Sequence, residues 1–183
     1  MSTRNFLLRK FLLFLVLTGT EARLVEAKES AAALLGDRVE VKLGGFDENL
    51  LPYADPTAAK AFIHDTGGAD NTDVVLAPQS SDLHQDHRFV AEVALQAFRD
   101  HPILGYEIPK YDGDFGNPGL YVALTRAEAD AKLDHLSSHF SSQHDKPWYS
   151  RELFESVMRI RGLEARSDSG LAEAFSAAKS VLR

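Results

Sequence analysis

The stretch from Asp73 to Phe98 constrains the fold of this chain more than any other. Residues 73–77 (Asp-Val-Val-Leu-Ala) are a short apolar run closed by Pro78, Ser80 and Ser81, which predicts a buried strand. From Asp86 onward, Phe89, Val90, Val93, Ala94, Ala97 and Phe98 fall on one face of a helix. Between the two lie Asp82, His84, Asp86 and His87. The order is strand, polar loop, helix, and open α/β sheets place their ligand sites at the carboxyl ends of strands.

That spacing has a chemical use. Neutral imidazole is a common zinc ligand, and a neighbouring carboxylate decides which ring nitrogen is left free. His87 stands at a helix start, where the positive dipole end disfavours imidazolium and keeps the ring available to a metal. The two histidines need not bind the same ion; one ligates while the other meets the substrate. A polar loop with two surface histidines is the alternative, and spacing alone leaves both readings open.

At 183 residues the chain reads as one domain, 1–183, long enough for a substantial core. A net charge of −7 argues against a nucleic-acid binder that reads the backbone, whose footprint is basic. With no cysteine there is no thiolate ligand, nucleophile or disulfide, so any metal is held by His, Asp and Glu. No nucleotide-binding glycine pattern is present, and the Thr66-Gly-Gly run lacks the spacing and the Lys-Ser/Thr of a phosphate loop.

Along the rest of the chain, residues 21–35 are helical in composition and end at Gly36. Residues 39–43 alternate as a strand, and Gly44-Gly45 suggests a sharp turn that brings Asp47 to its end. A helix over 55–63 opens with Asp55 and Pro56. Residues 103–108 and 121–124 read as strands around a Gly/Pro-rich loop, 109–119, that carries Lys110, Tyr111, Asp112 and Asp114. Tyr111 suits stacking on the face of a ligand ring or simple local packing. Thr125 and Glu128 form a capping box for a helix to about Phe140, with His135 and His139 assigned to surface and packing. A last helix covers 150–160, closed by Gly162, and Glu173 reads as a solvated helix residue or a brace for the site wall.

The beginning of the chain reads two ways. Arg4, Arg9 and Lys10 before the apolar 11–17 resemble a signal peptide, which would put the mature terminus near residue 23 and the protein outside the cell. The competing reading makes 5–10 the end of a crossover helix and 11–18 a buried parallel strand in a cytoplasmic protein. The segment is too short for a membrane span.

Asp82-Leu-His84-Gln-Asp86-His87-Arg88 resembles the D-x-H-x-D-H-R motif of the LmbE/PIG-L family, metal-dependent N-deacetylases of amino sugars and glycolipids. Other pieces follow in the family's order. Thr18-Gly-Thr-Glu-Ala-Arg23-Leu-Val-Glu26, with 31–36, is similar to T-x-G-E…R-x-x-E…A-A-x-x-L-G, and Leu43-Gly-Gly-Phe-Asp47 to L-G-x-x-D. His139-Phe-Ser-Ser-Gln143 resembles a loosened H-x-S-Q, and 171–175 resembles the late A-E-A-F element. The second reading of the beginning of the chain fits this register.

The resemblance implies a Rossmann-like three-layer α/β sandwich with a mostly parallel sheet. It also implies hydrolysis of an N-acetyl amide on an amino sugar or glycoconjugate by a zinc-bound water. In those terms His87 is a metal ligand, while His84 stabilises the oxyanion or protonates the leaving amine. Asp86 tunes the histidine pair, and Arg23, Asp47 and Asp82 bind substrate. The family's P-H-P-D-D-E type motif, which ends its first strand and supplies two further ligands and the base, has no counterpart before Thr18. The expectation is therefore a sheet without that strand, weak zinc binding and impaired turnover, or else a non-catalytic sugar-binding relative or a truncated pseudoenzyme. No membrane span is expected, and an oligomer is compatible with the sequence.

Overall fold

The computed structural model describes residues 12–66 and 72–180. β1 (Leu12–Thr18) leads into α1 (Glu21–Leu35), and the chain returns as β2 (Val39–Phe46), parallel to β1 with Leu12 opposite Val39. The Thr20 hydroxyl caps the start of α1, and Gly36, at φ 55°, lets the chain leave its end. A single 3-10 turn (Leu51–Tyr53) and α2 (Pro56–Thr66) follow. The unit then repeats: β3 (Val75–Pro78), α3 (Gln85–Ala97) and β4 (Ile103–Tyr106), with β3 parallel to β4. Parallel neighbours need a long crossover, and in both units a helix supplies it.

β5 (Leu120–Ala123), α4 (Arg126–His139), α5 (Arg151–Glu164) and β6 (Ala172–Lys179) complete the described chain. β6 lies between β4 and β5 and runs antiparallel to both, giving a four-stranded sheet in the order β3-β4-β6-β5. β1 and β2 form a separate two-stranded sheet. The result is a Rossmann-like α/β arrangement in which two parallel strand–helix–strand units are extended by antiparallel strands.

Two apolar clusters hold these layers. Leu17, Leu51, Ile63, Ala77, Val93, Phe98 and Ile103 join β1, β3 and β4 to α2 and α3. Leu133 and Met158 join α4 to α5 over Leu171, just ahead of β6. The expected capping box at Thr125 and Glu128 is present. His135 and His139 are stacked with ring centroids 4.2 Å apart, and His135 Nε2 meets the Ser30 hydroxyl on α1 at 2.8 Å. Both serve helix packing, as expected. No helix among the described residues is long and apolar enough to cross a membrane.

Several elements differ from the sequence expectation. β3 begins at Val75 rather than Asp73, because the Val75 N–H is already paired with the Pro102 carbonyl at 2.9 Å. The chain does not turn at Gly44-Gly45. β2 runs through both glycines to Phe46, which pairs with Thr18 after a register slip in β1. A Cβ on Gly44 would strike the Phe46 ring, and Gly45 sits at φ 71°, so the pair serves an irregular strand and not a hairpin. Gly162 does not end α5; it lies inside the helix, buried against Gly170 and Leu171. Glu173 stands on strand β6, ion-paired with Lys132, and is not a helix residue. The expected helix remnant over 5–10 and the glycines at 67 and 68 lie outside the described residues.

Candidate functional site

The site forms where β3 ends. Residues 79–84 carry the chain from the sheet to the first turn of α3, whose N-cap position is His84. Asp82 is completely enclosed, and every contact of its carboxylate goes to a group that donates. One oxygen accepts the His84 backbone N–H at 2.8 Å. The other meets His87 Nδ1 at 3.0 Å and the Lys110 ammonium at 3.2 Å. Burial by itself pushes the Asp82 carboxyl up, but the bonds from His87, His84 and Lys110 and the charge of His87 outweigh it and hold it at about 2.

An ionised Asp82 only accepts. The bond between it and His87 is therefore donated by His87 Nδ1, and in the neutral ring this leaves the Nε2 lone pair for another partner. His84 is stacked on His87, ring centroids 4.4 Å apart, and its Nε2 meets the Asn49 side-chain oxygen at 3.0 Å. Its Nδ1 is buried without a partner. Burial and the neighbouring His87 both push the His84 imidazole below its ordinary value, so it is mainly neutral near pH 7.

The predicted residues separate into two groups. Asp82, His84 and His87 come together as one cluster. Asp82, expected against substrate, has no exposed surface and instead orients His87. Asp86, expected to tune the histidine pair, accepts the backbone N–H groups of Asn49 at 2.8 Å and Leu51 at 3.2 Å. It is buried and fastens the loop after β2 to α3, acting on His84 through its charge. Arg23 makes an ion pair with Glu48, on that same loop, and so reaches the rim without touching either histidine. Asp47 is exposed beside it, two residues from Asn49.

Three participants were not assigned from sequence. Asn49 holds His84 from a left-handed backbone, φ 60°, a conformation that Asn tolerates better than most side chains. Lys110 and Asp114 form a buried pair at 2.6 Å, and Asp114 also accepts the Leu83 N–H at 2.6 Å. The i,i+4 charge spacing of that pair is visible in the chain, but in a loop it has no helical meaning.

Asp82 sets an acid limit on the site. Its folded value lies below the ordinary 3.8, so its contribution is fully present above that pH and is lost as pH falls toward about 2. The difference corresponds to about 2 kcal/mol. Urea unfolding followed between pH 5 and pH 2.5 should therefore show stability falling, with an Asp82→Asn variant losing correspondingly less over the same range. Parallel pH profiles for the two chains would reject this assignment.

As a metal site the cluster is incomplete. His87 with Asp82 behind it is the usual carboxylate–histidine arrangement of a metal ligand, with the correct nitrogen free. Yet no group of three or more His, Cys, Asp or Glu that could hold a metal ion occurs among the described residues, and catalytic zinc usually takes three protein ligands. The described residues alone do not fit a catalytic zinc.

Comparison with solved structures places the fold. A conserved protein from Thermus thermophilus superposes with a TM-score of 0.68 at 20% identity, over 94% of this chain and 84% of the other. An N,N'-diacetylchitobiose deacetylase from Pyrococcus horikoshii gives 0.65 at 19%, over 90% and 72%. The chain has the fold of that deacetylase. A 4-carboxy-2-hydroxymuconate hydratase from Pseudomonas putida gives 0.59 at 14%, over 89% and 73%. No family model and no curated protein matches the sequence. The shared fold thus carries both a deacetylase and a hydratase, and the side chains at the rim must decide between them.

Proposed function

We propose that this chain binds an N-acetylated amino sugar or glycoconjugate and belongs, in its chemistry, with the zinc-dependent N-deacetylases of the LmbE/PIG-L type. The observation that carries the reading is the Asp82–His87 pair with His84 stacked on it at the carboxyl end of β3, in a fold shared with a diacetylchitobiose deacetylase. A zinc held through His87 Nε2 and ligands beyond those assigned here would supply an acidified water. This chain's own residues supply the rest. His84, mainly neutral at pH 7, either stabilises the oxyanion or takes up the proton that the attacking water releases and passes it to the departing amine. Asp82 fixes the His87 tautomer, and Asp86 sets the loop from which Asn49 holds His84. Arg23 and Asp47 contact the sugar from the rim.

His87 is the one ligand assigned here, so the chain as it stands holds zinc weakly and turns over slowly or not at all. A sugar-binding role without catalysis is the second reading, favoured by that incomplete ligand set. The test is zinc retained after dialysis together with deacetylation of N,N'-diacetylchitobiose, for the wild type and His87→Ala. Well under one equivalent of zinc, removed by the substitution, with the sugar still bound, is the expected result. Zinc content indifferent to His87 and no affinity for the sugar would reject the proposal.

A further inference from the structure

Two loops bracket His84, and each is fastened to it by a different device. On one side Asn49 bonds to the His84 ring, while the Asn49 and Leu51 N–H groups are fixed by Asp86 and the Asn49 carbonyl by Gln85. On the other side Asp114 accepts the Leu83 N–H, and Lys110 ties Asp114 to Asp82. This second loop is also fixed at its far end. Arg161 on α5 grips Glu107 through two bonds, at 2.6 and 2.9 Å, and Glu107 accepts the Gly116 N–H at 3.1 Å. The side chains of Lys110, Asp114, Arg161 and Glu107 are all under a tenth exposed.

Buried ion pairs do little for stability, because removing two charges from water offsets most of their attraction. They do fix position. Between these anchors the loop tip presents Tyr111, 75% exposed, and Asp112, whose charge acts on His84. The loop that carries Asn49 continues to Tyr53, 76% exposed, and Leu83, next to His84 in the chain, is also exposed. Exposed large apolar side chains on segments anchored beside one imidazole have no packing role to explain them, and exposed apolar surface of this kind marks ligand sites.

We infer that these loops are the two walls of a sugar-binding cleft over His84, and that Tyr111 is a specificity-determining residue whose ring takes the apolar face of a pyranose. Asp112 beside it accepts hydroxyl hydrogen bonds from the ring edge. Lys110 and Asp114 are positioning residues that hold this wall at a fixed distance from His84. The inference rests on the sugar-binding reading above and names the side chains that select the sugar.

Calorimetric titration with N,N'-diacetylchitobiose, for the wild type, Tyr111→Ala and Tyr111→Phe, tests the inference separately from the function. Tyr111→Ala should weaken binding about tenfold, the scale of one well-placed contact residue. Tyr111→Phe keeps the ring and should stay within about twofold of wild type by the same measure. Thermal stability of both variants should match wild type, since an exposed ring supports no core. Equal affinity of wild type and Tyr111→Ala overturns this inference and leaves the function intact. A wild type that does not bind the sugar overturns the functional reading and this one with it.

Discussion

Lys110→Met should lower the stability of this protein by about 3–5 kcal/mol, the usual cost of leaving buried charge without its partner. The side chains of Lys110, Asp114 and Asp82 are 7%, 5% and 0% exposed, so water does not screen the three groups from one another. Methionine fills the volume of lysine and isolates the effect of charge. Without the ammonium, two carboxylates face each other in the interior, one still held by His87 and the His84 N–H and the other by the Leu83 N–H. The cheapest relief is for the 107–119 loop to leave the surface, carrying Tyr111 away from His84. Urea unfolding gives the stability change, and hydrogen exchange at Leu83 gives the local one, because its N–H is released when Asp114 departs. An unchanged midpoint with Leu83 still protected would show that the ion pair is dispensable.

Gly162→Ala should also be costly, against the helix propensity of the two residues. In an exposed helix interior, alanine stabilises by about 1 kcal/mol relative to glycine. Here the added methyl would run into the carbonyl of Gly170 and the amide nitrogen of Leu171, both backbone atoms that no rotamer change can move. α5 must then shift away from the turn leading into β6. That displaces Met158 and Leu171 from their shared cluster. Overpacking of this kind costs about 1–3 kcal/mol or more, and backbone against backbone lies at the upper end. A net loss of about 2 kcal/mol lowers Tm by about 4–8 °C for a chain of this size. A variant that melts higher than wild type would mean the turn at Gly170 yields freely.

The comparison with a hydratase of the same fold limits what architecture can say about chemistry. Amide hydrolysis and hydration both need an activated water and a polarised carbonyl-like group, and both can be staged at the carboxyl ends of parallel strands. The discrimination lies in the Asp82–His87–His84 cluster and in what the flanking loops admit. The tyrosine and carboxylate walls proposed above would suit a neutral polyhydroxylated ring better than an anionic substrate, which Asp112 would repel.

Features set by local periodicity and local hydrogen bonding were legible in the chain alone. Alternation and apolar runs placed β1, β2 and β3 to within a few residues, Thr125 with Glu128 placed the start of α4, and the close spacing of His84 and His87 placed both at one helix start. These are properties of neighbours in the chain, so reading the chain suffices. Tertiary structure alone decided the rest. Gly162 and Gly44 looked like an end and a turn, but Gly162 answers to the Gly170–Leu171 backbone, and Gly44 is closed in by the nearby Phe46 ring and the Leu17 carbonyl of the paired strand. Asp82 and Asp86 looked like site carboxylates, but burial gave one to His87 and Lys110 and the other to the loop at Asn49. Asn49 and Lys110 lie 35 and 26 positions from His84 along the chain. Their roles depend on which loops the packed sheet brings side by side, and no local pattern encodes that.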